Sequence, residues 1–183
     1  MDESVLEKRP GGVWSPVFTL PRNEKKVFAA LLKAGIPAYL PLRRQINVQP
    51  VVSKGKSYYY QRVLHVPMFS NYLFAHISPE AQEVLNRTRS ALRVIRVDEF
   101  QEEMLLDELR LIREIEKFSE GEEIDVCNGM QRGSDVVFTG GPFSGWRGVV
   151  LAMEPDGMAY INISSIETSI KLKYPAAWCM LCK

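Results

Sequence analysis

The sequence predicts an α+β fold in two parts: an antiparallel sheet flanked by helices, followed by a small antiparallel β-barrel. Through residue 118, strand-like runs alternate with stretches whose apolar residues recur at helical spacing. From residue 132 the helical period is gone, and short alternating runs succeed one another with Gly and Pro between them. Residues 119–131 are rich in Glu and Gly and read as a linker. The expected division is therefore 1–118, 119–131 and 132–183, the last including a C-terminal tail.

In order, residues 13–20 form a first strand, stopped by Pro21-Arg22, with Pro16 implying an edge position or an irregular start. A helix follows, capped by Asn23. Its apolar stripe is Val27, Phe28, Leu31 and Leu32, and Gly35 with Pro37 stops it. Residues 38–42 make a short second strand. Residues 43–62 are polar, basic and Gly-containing, either a loop or the tip of a long hairpin. Residues 66–78, V-P-M-F-S-N-Y-L-F-A-H-I-S, are a turn feeding a strand. Alternation puts Tyr72, Phe74 and His76 on one face of that strand and Leu73, Ala75 and Ile77 on the other. The small aliphatic set suits a core under helices; the aromatic set, with Phe69, is either a second buried layer or a protein-binding patch. Ser78-Pro79 opens a helix running to about residue 88, and residues 92–97 form a strand. From 102 to 118, Leu105, Leu109, Ile112 and Ile115 recur at helical spacing, with Glu102, Glu103, Asp107, Glu108, Glu114 and Glu116 between them as a solvated acidic face.

The chain has 183 residues, 46% apolar and 25% charged, which places it among globular proteins with a substantial core. No run approaches the roughly 20 apolar residues of a membrane span, and the first residues lack the pattern of a signal peptide, so a cytoplasmic location is expected. Net charge is +1, but it is unevenly spread. Residues 1–97 hold 15 Lys/Arg against 6 Asp/Glu, and residues 98–126 hold 3 against 12. Between Arg22 and Arg62 there are nine Lys/Arg and only Glu24 of opposite sign, with tyrosines interleaved, a composition able to hold phosphates and stack bases. Cys179 and Cys182 form a lone C-x-x-C far in sequence from His65 and His76, too little for a zinc site. The Gly cluster at 140–148 lacks a phosphate-loop pattern and a following helix, so it reads as turns. No nucleophile, base and orienting group share a motif, which argues against an enzyme.

These pieces carry a resemblance. W-S-P-V-F-T-L-P-R-N-E-K-K-V, A-Y-L-P-L and M-F-S-N-Y-L-F resemble the N-terminal domain of the NusG family of bacterial transcription elongation factors. G-S-D-V-V-F-T-G-G-P-F-S-G-W-R-G-V-V resembles its KOW motif on an SH3-like barrel. The usual family turn is F-P-G-Y or F-P-N-Y. Here it is Phe69-Ser70-Asn71-Tyr72, where Asn71 tolerates a left-handed backbone and Ser70 gives up the rigidity of Pro. Asn71, the Leu-Phe after Tyr72 and the basic loop are similar to the specialised paralogues, RfaH and the antiterminators of polysaccharide operons.

The resemblance implies a noncatalytic, cofactor-free, monomeric elongation or antitermination factor. It places Phe18, Phe69, Ser70, Asn71, Tyr72 and Phe74 against the clamp helices of the RNA polymerase β′ subunit, bridging to β, with Trp14 inside. It places Arg22, Lys25, Lys26, Arg43 and Arg44 on the non-template DNA strand, and Ile166 as the barrel residue toward ribosomal protein S10 or Rho. An RNA-binding or ribosome-associated protein using the barrel is the alternative. RfaH has a terminal domain that also folds as a helical hairpin. Here Gly140, Gly141, Gly145, Gly148, Gly157, Pro142 and Pro155 oppose helix, and residues 132–174 are expected to be β.

Overall fold

The computed structural model describes residues 6–53, 56–118, 124–151 and 157–182. Four strands make the first sheet: β1 (Val13–Thr19), β2 (Ala38–Tyr39), β5 (Tyr72–Ile77) and β6 (Ala91–Val94), in the order β2-β5-β1-β6, antiparallel throughout. Helices α1 (Glu24–Lys33) and α2 (Pro79–Thr88) cover one face, and α3 (Glu99–Phe118) covers the other. The alternation along β5 selects these layers as expected. Leu73 and Ala75 join Val17, Val27, Leu31, Ala81 and Leu85 under α1 and α2, while Phe74 joins Trp14 and Tyr39 under α3.

Local rules account for the ends. Ser78 Oγ accepts the Ala81 N–H at the head of α2, with Pro79 in its first turn. Asn23 precedes α1 without a side-chain cap bond, its amide going instead to Pro21 O and Ser90 Oγ. Gly35, at φ +72°, turns the chain out of α1. Pro16 stands not on an edge but in the central strand. In an antiparallel ladder a residue's nitrogen and oxygen point to the same side. Pro16 O accepts from Ile95 N, so its missing N–H faces the segment just past the end of β6, where no ladder bond is lost.

Residues 43–62 are strand. β3 (Leu42–Ser53) and β4 (Lys56–Pro67) pair antiparallel in unbroken register from Leu42↔Pro67 to Ser53↔Lys56. Twelve residues at about 3.3 Å each give a ribbon of about 40 Å, exposed along most of its length.

The acidic face of α3 is not merely solvated. Buried Glu102 accepts the Trp14 N–H at 2.8 Å; Glu116 accepts the Tyr39 hydroxyl at 2.7 Å and the Leu42 N–H at 3.0 Å; Glu108 accepts the N–H groups of Ser164 and Ser165 at 2.7 and 3.2 Å. Asp107 and Glu114 pair with Arg110 and Lys117 on the surface.

The second sheet is made by β7 (Asp125–Asn128), β8 (Ser134–Phe138), β9 (Arg147–Val150), β10 (Met158–Ile163), β11 (Thr168–Lys173) and β12 (Cys179–Leu181), antiparallel in the order β12-β8-β9-β10-β11-β7. Two expectations change here. Within the stretch read as a linker, residues 119–123 lie outside the described residues, and 125–128 form β7, zipped onto β11 by the Val126↔Ile170 pairing. The expected tail contributes β12, paired to β8. Ile170, Leu172 and Tyr174 are buried while Lys173 is exposed, the alternation the sequence predicts. Among the described residues, 124–182 contain strands and short 3-10 turns and no α-helix.

The two sheets share α3. One continuous buried cluster runs from Trp14, Tyr39 and Phe74 through Leu105, Leu109 and Ile112 to Phe138, Phe143, Ile163 and Ile166, and the Phe118 and Phe143 rings meet at 5.3 Å. Among the described residues no helix is long and apolar enough to cross a membrane.

Candidate functional site

The turn before β5 depends on one backbone angle. Asn71 has φ +68°, a left-handed conformation that a short amide side chain tolerates and most residues resist. Its N–H donates to Glu24 Oε1 at 2.7 Å, and its carbonyl accepts the Thr19 N–H at 2.8 Å. Glu24 is buried in the first turn of α1, where the helix N-terminus favours its carboxylate. The sequence reading passed over Glu24 as the lone acid in a basic stretch; an acidic residue at the first helical position was the available signal.

The six residues named for the polymerase face divide. Tyr72 and Phe18 are half-buried and face each other across the β1–β5 register, ring centroids 5.1 Å apart. Ser70 is exposed and Asn71 half-exposed. Phe69 and Phe74 are buried at 2% and 0% exposure, packed edge to face beneath them at 6.3 Å. For these two the second buried layer is realised, and they present no surface in this arrangement.

Beside Tyr72 lies an open cavity of about 420 Å³ whose walls include Arg93, Ile95 and Arg96 from one half and Ser164, Ile166 and Glu167 from the other. Next to it a groove of about 440 Å³ is lined by Ile95, Val97, Phe100, Met104, Leu105 and Glu108. Phe100 and Met104 are exposed there; sequence reasoning missed them because they fall off the α3 stripe that points to the core. Ile166 is not a surface residue in this arrangement but part of the shared cluster, at 5% exposure. Its loop is held against α3 by Glu108.

The basic residues named for DNA are also sorted by the fold. Arg22, Lys25 and Lys26 are exposed around the start of α1. Lys25 Nζ donates to His65 O at 2.8 Å, near the base of the ribbon, where His65 is the register partner of Arg44. Lys26 Nζ donates to Ser90 Oγ at 3.0 Å. Arg43, on the opposite face of the ribbon from Arg44, donates to Ile124 O at 3.3 Å and is half-buried.

The C-terminal thiols are not a paired centre. Cys179 lies within β12 and Cys182 just beyond it; both are free, and burial pushes the Cys179 thiol pKa up. Among the described residues no group of three or more His, Cys, Asp or Glu is arranged to hold a metal ion.

The first half is thus a helix-covered antiparallel sheet that carries an aromatic turn and a basic ribbon. The family described as transcription termination factor nusG matches residues 12–115, more than half of the chain. The chain belongs to the NusG family, whose members are noncatalytic transcription elongation factors. No curated protein matches it. Among solved structures it is similar to a chain of the "MjSpt4:Spt5 complex conformation B" crystal structure, with 12% identity, a TM-score of 0.29, and coverage of 93% of this chain and 97% of that one.

Proposed function

We propose that the chain is an elongation and antitermination factor that holds RNA polymerase through residues 1–118. In this reading residues 132–183 form an SH3-like barrel with a KOW motif for a second partner. The observation that carries the reading is the turn at Asn71, which sets Tyr72 beside Phe18 as a half-exposed aromatic pair on a base filled by Phe69 and Phe74. Aromatic side chains fixed on strands suit interface anchors, because they bring large contact area and have little freedom left to lose.

The β′ clamp helices lie against Phe18 and Tyr72 and extend into the groove with Phe100 and Met104, while the factor bridges to β. Phe69, Ser70, Asn71 and Phe74 keep the turn in shape. Arg22, Lys25, Lys26 and Arg44 face the non-template DNA strand, with Arg43 reaching it only when its bond to Ile124 is released. Binding the closed clamp better than the open one disfavours pausing by that difference in affinity. The loop at Ser164–Ile166 covers this region in the free protein; undocking opens the Tyr72 side of the sheet and exposes Ile166 together, the latter for ribosomal protein S10 or Rho. Asn71, Leu73-Phe74 and the basic ribbon support placing the factor with the polysaccharide-operon antiterminators.

The test is binding of the full-length protein to immobilised core polymerase. Tyr72→Ala is expected to weaken binding by about 2 kcal/mol, roughly thirty-fold. A folded Tyr72→Ala, Phe18→Ala double variant that binds as wild type removes the proposed face.

A further inference from the structure

The ribbon of β3 and β4 carries a second surface that the polymerase reading does not use. We propose that its face bearing Gln45, Asn47 and Gln49 on one strand and Tyr58, Tyr60 and Arg62 on the other is a binding site for single-stranded RNA. Directly opposed residues share a face of a two-stranded ribbon, and the register pairs Gln49 with Tyr60, Asn47 with Arg62 and Gln45 with Leu64. Tyr58, on the same face by alternation, completes the row. Tyr58 and Tyr60 are 51% and 56% exposed, and Arg62, Gln45 and Gln49 are exposed too. The opposite face carries Tyr59, Gln61 and Arg44 among Ile46, Val48, Pro50 and Val63, so each side has a ring, an amide and a guanidinium. The side with two adjacent tyrosines and three amides is the richer one.

Charge complementarity selects the occupant. Residues 42–67 hold five Lys/Arg and no Asp or Glu, in a chain with 22 acidic residues overall, which suits a polyanion. Ring faces on a bare surface suit unstacked bases, worth a several-fold gain in affinity each, and Tyr58 and Tyr60 stand about 7 Å apart along the strand, a step that one nucleotide of an extended strand spans. A duplex keeps its base faces hidden, and an acidic peptide has none to offer. The amide row adds paired donors and acceptors able to read base edges. Amide oxygens and tyrosine hydroxyls also accept from the ribose 2′-hydroxyl, a contact DNA lacks, which favours RNA. The inference goes beyond the proposed function and needs no polymerase.

The experiment is fluorescence anisotropy of the full-length protein with fluorescein-labelled 12-mers: oligo(rA), oligo(rU), oligo(rC) and a mixed-sequence RNA, the DNA counterparts, and an RNA duplex. Single-stranded RNA is expected to bind at least about five-fold tighter than the same DNA or the duplex. Tyr58→Ala with Tyr60→Ala is expected to weaken RNA binding about thirty-fold or more without changing its salt dependence, since neither ring neutralises a phosphate. Arg62→Gln should lower the slope of log affinity against log salt by about one unit. Replacing Gln45, Asn47 and Gln49 by Ala should level the differences among RNA sequences. Tyr59→Ala, on the other face, should leave affinity within about two-fold, and Tyr58→Phe with Tyr60→Phe should retain most of it. Absence of RNA binding, equal or tighter binding of DNA, or a loss in Tyr59→Ala equal to that of the double variant overturns the proposal. Unchanged thermal midpoints of these surface variants separate loss of a site from loss of the fold.

Discussion

Asn71 holds the chain in a conformation few other residues accept, so substitutions there sort by backbone rather than by bulk. Asn71→Gly should leave stability within about 0.5 kcal/mol, whereas Asn71→Val should cost about 1–2 kcal/mol or more, measured by urea denaturation. Tyr39 gives a pH signature. Burial, then the negative charge of Glu116 and its hydrogen bond, push its pKa far above the ordinary value, so the folded protein keeps the phenol protonated. The unfolded chain ionises it near pH 10. Stability from this group is therefore intact below pH 10 and falls above it by up to about 1.4 kcal/mol per pH unit; Tyr39→Phe should remove that part of the alkaline loss. At this scale the sequence was readable wherever a residue's partner is local, as with Ser78 capping α2. Glu102, Glu108 and Glu116 were not readable, because their backbone N–H partners lie 56 to 88 positions away; Glu24 carried a helix-start signal, but nothing pointed to its partner 47 positions on.

The elements with a strong period, α1, α3 and the alternating β5 and β11, were legible, and α2 was legible from its Ser78-Pro79 start. The β3–β4 ribbon was legible only as a loop or the tip of a long hairpin: Gln45 to Pro50 alternate polar and apolar residues, but the partner run Ser57 to Arg62 does not, and register rather than burial defines the pair. The double role of α3 was hidden for a related reason. A stripe widened by Leu106 and Leu111 reads as one generous core face, yet the helix packs between two sheets. Removing the Ser78 cap by Ser78→Ala should lower stability by about 1 kcal/mol in thermal unfolding. Glu108→Ala removes two charge-assisted hydrogen bonds to the Ser164–Ile166 turn. It should speed hydrogen exchange at the Ser164 and Ser165 amides and strengthen polymerase binding several-fold. Faster exchange with weaker polymerase binding would mean that the docked loop supports the proposed face instead of covering it.

Across the molecule, a buried cluster that passes through α3 without interruption ties both sheets to one helix. Thermal unfolding followed at Trp14 and at Trp178 should therefore give coincident transitions; two separated midpoints would show that docking is weaker than either half. The expected β character of residues 132–174 came from Gly, Pro and short alternating runs, all local features, whereas docking is a match between surfaces distant in sequence and left no mark in either. The Glu108 clamp carries one more implication. Under the proposed function, polymerase engages what the loop covers, and the loop's own partner engages what docking hides. Each ligand then draws on the same undocked population, so thermodynamic linkage makes the effect reciprocal: whatever factor polymerase adds to the affinity of the loop's partner, that partner must add to the affinity for polymerase. A recruited machine would thereby fasten the factor to the transcribing enzyme without touching the enzyme itself.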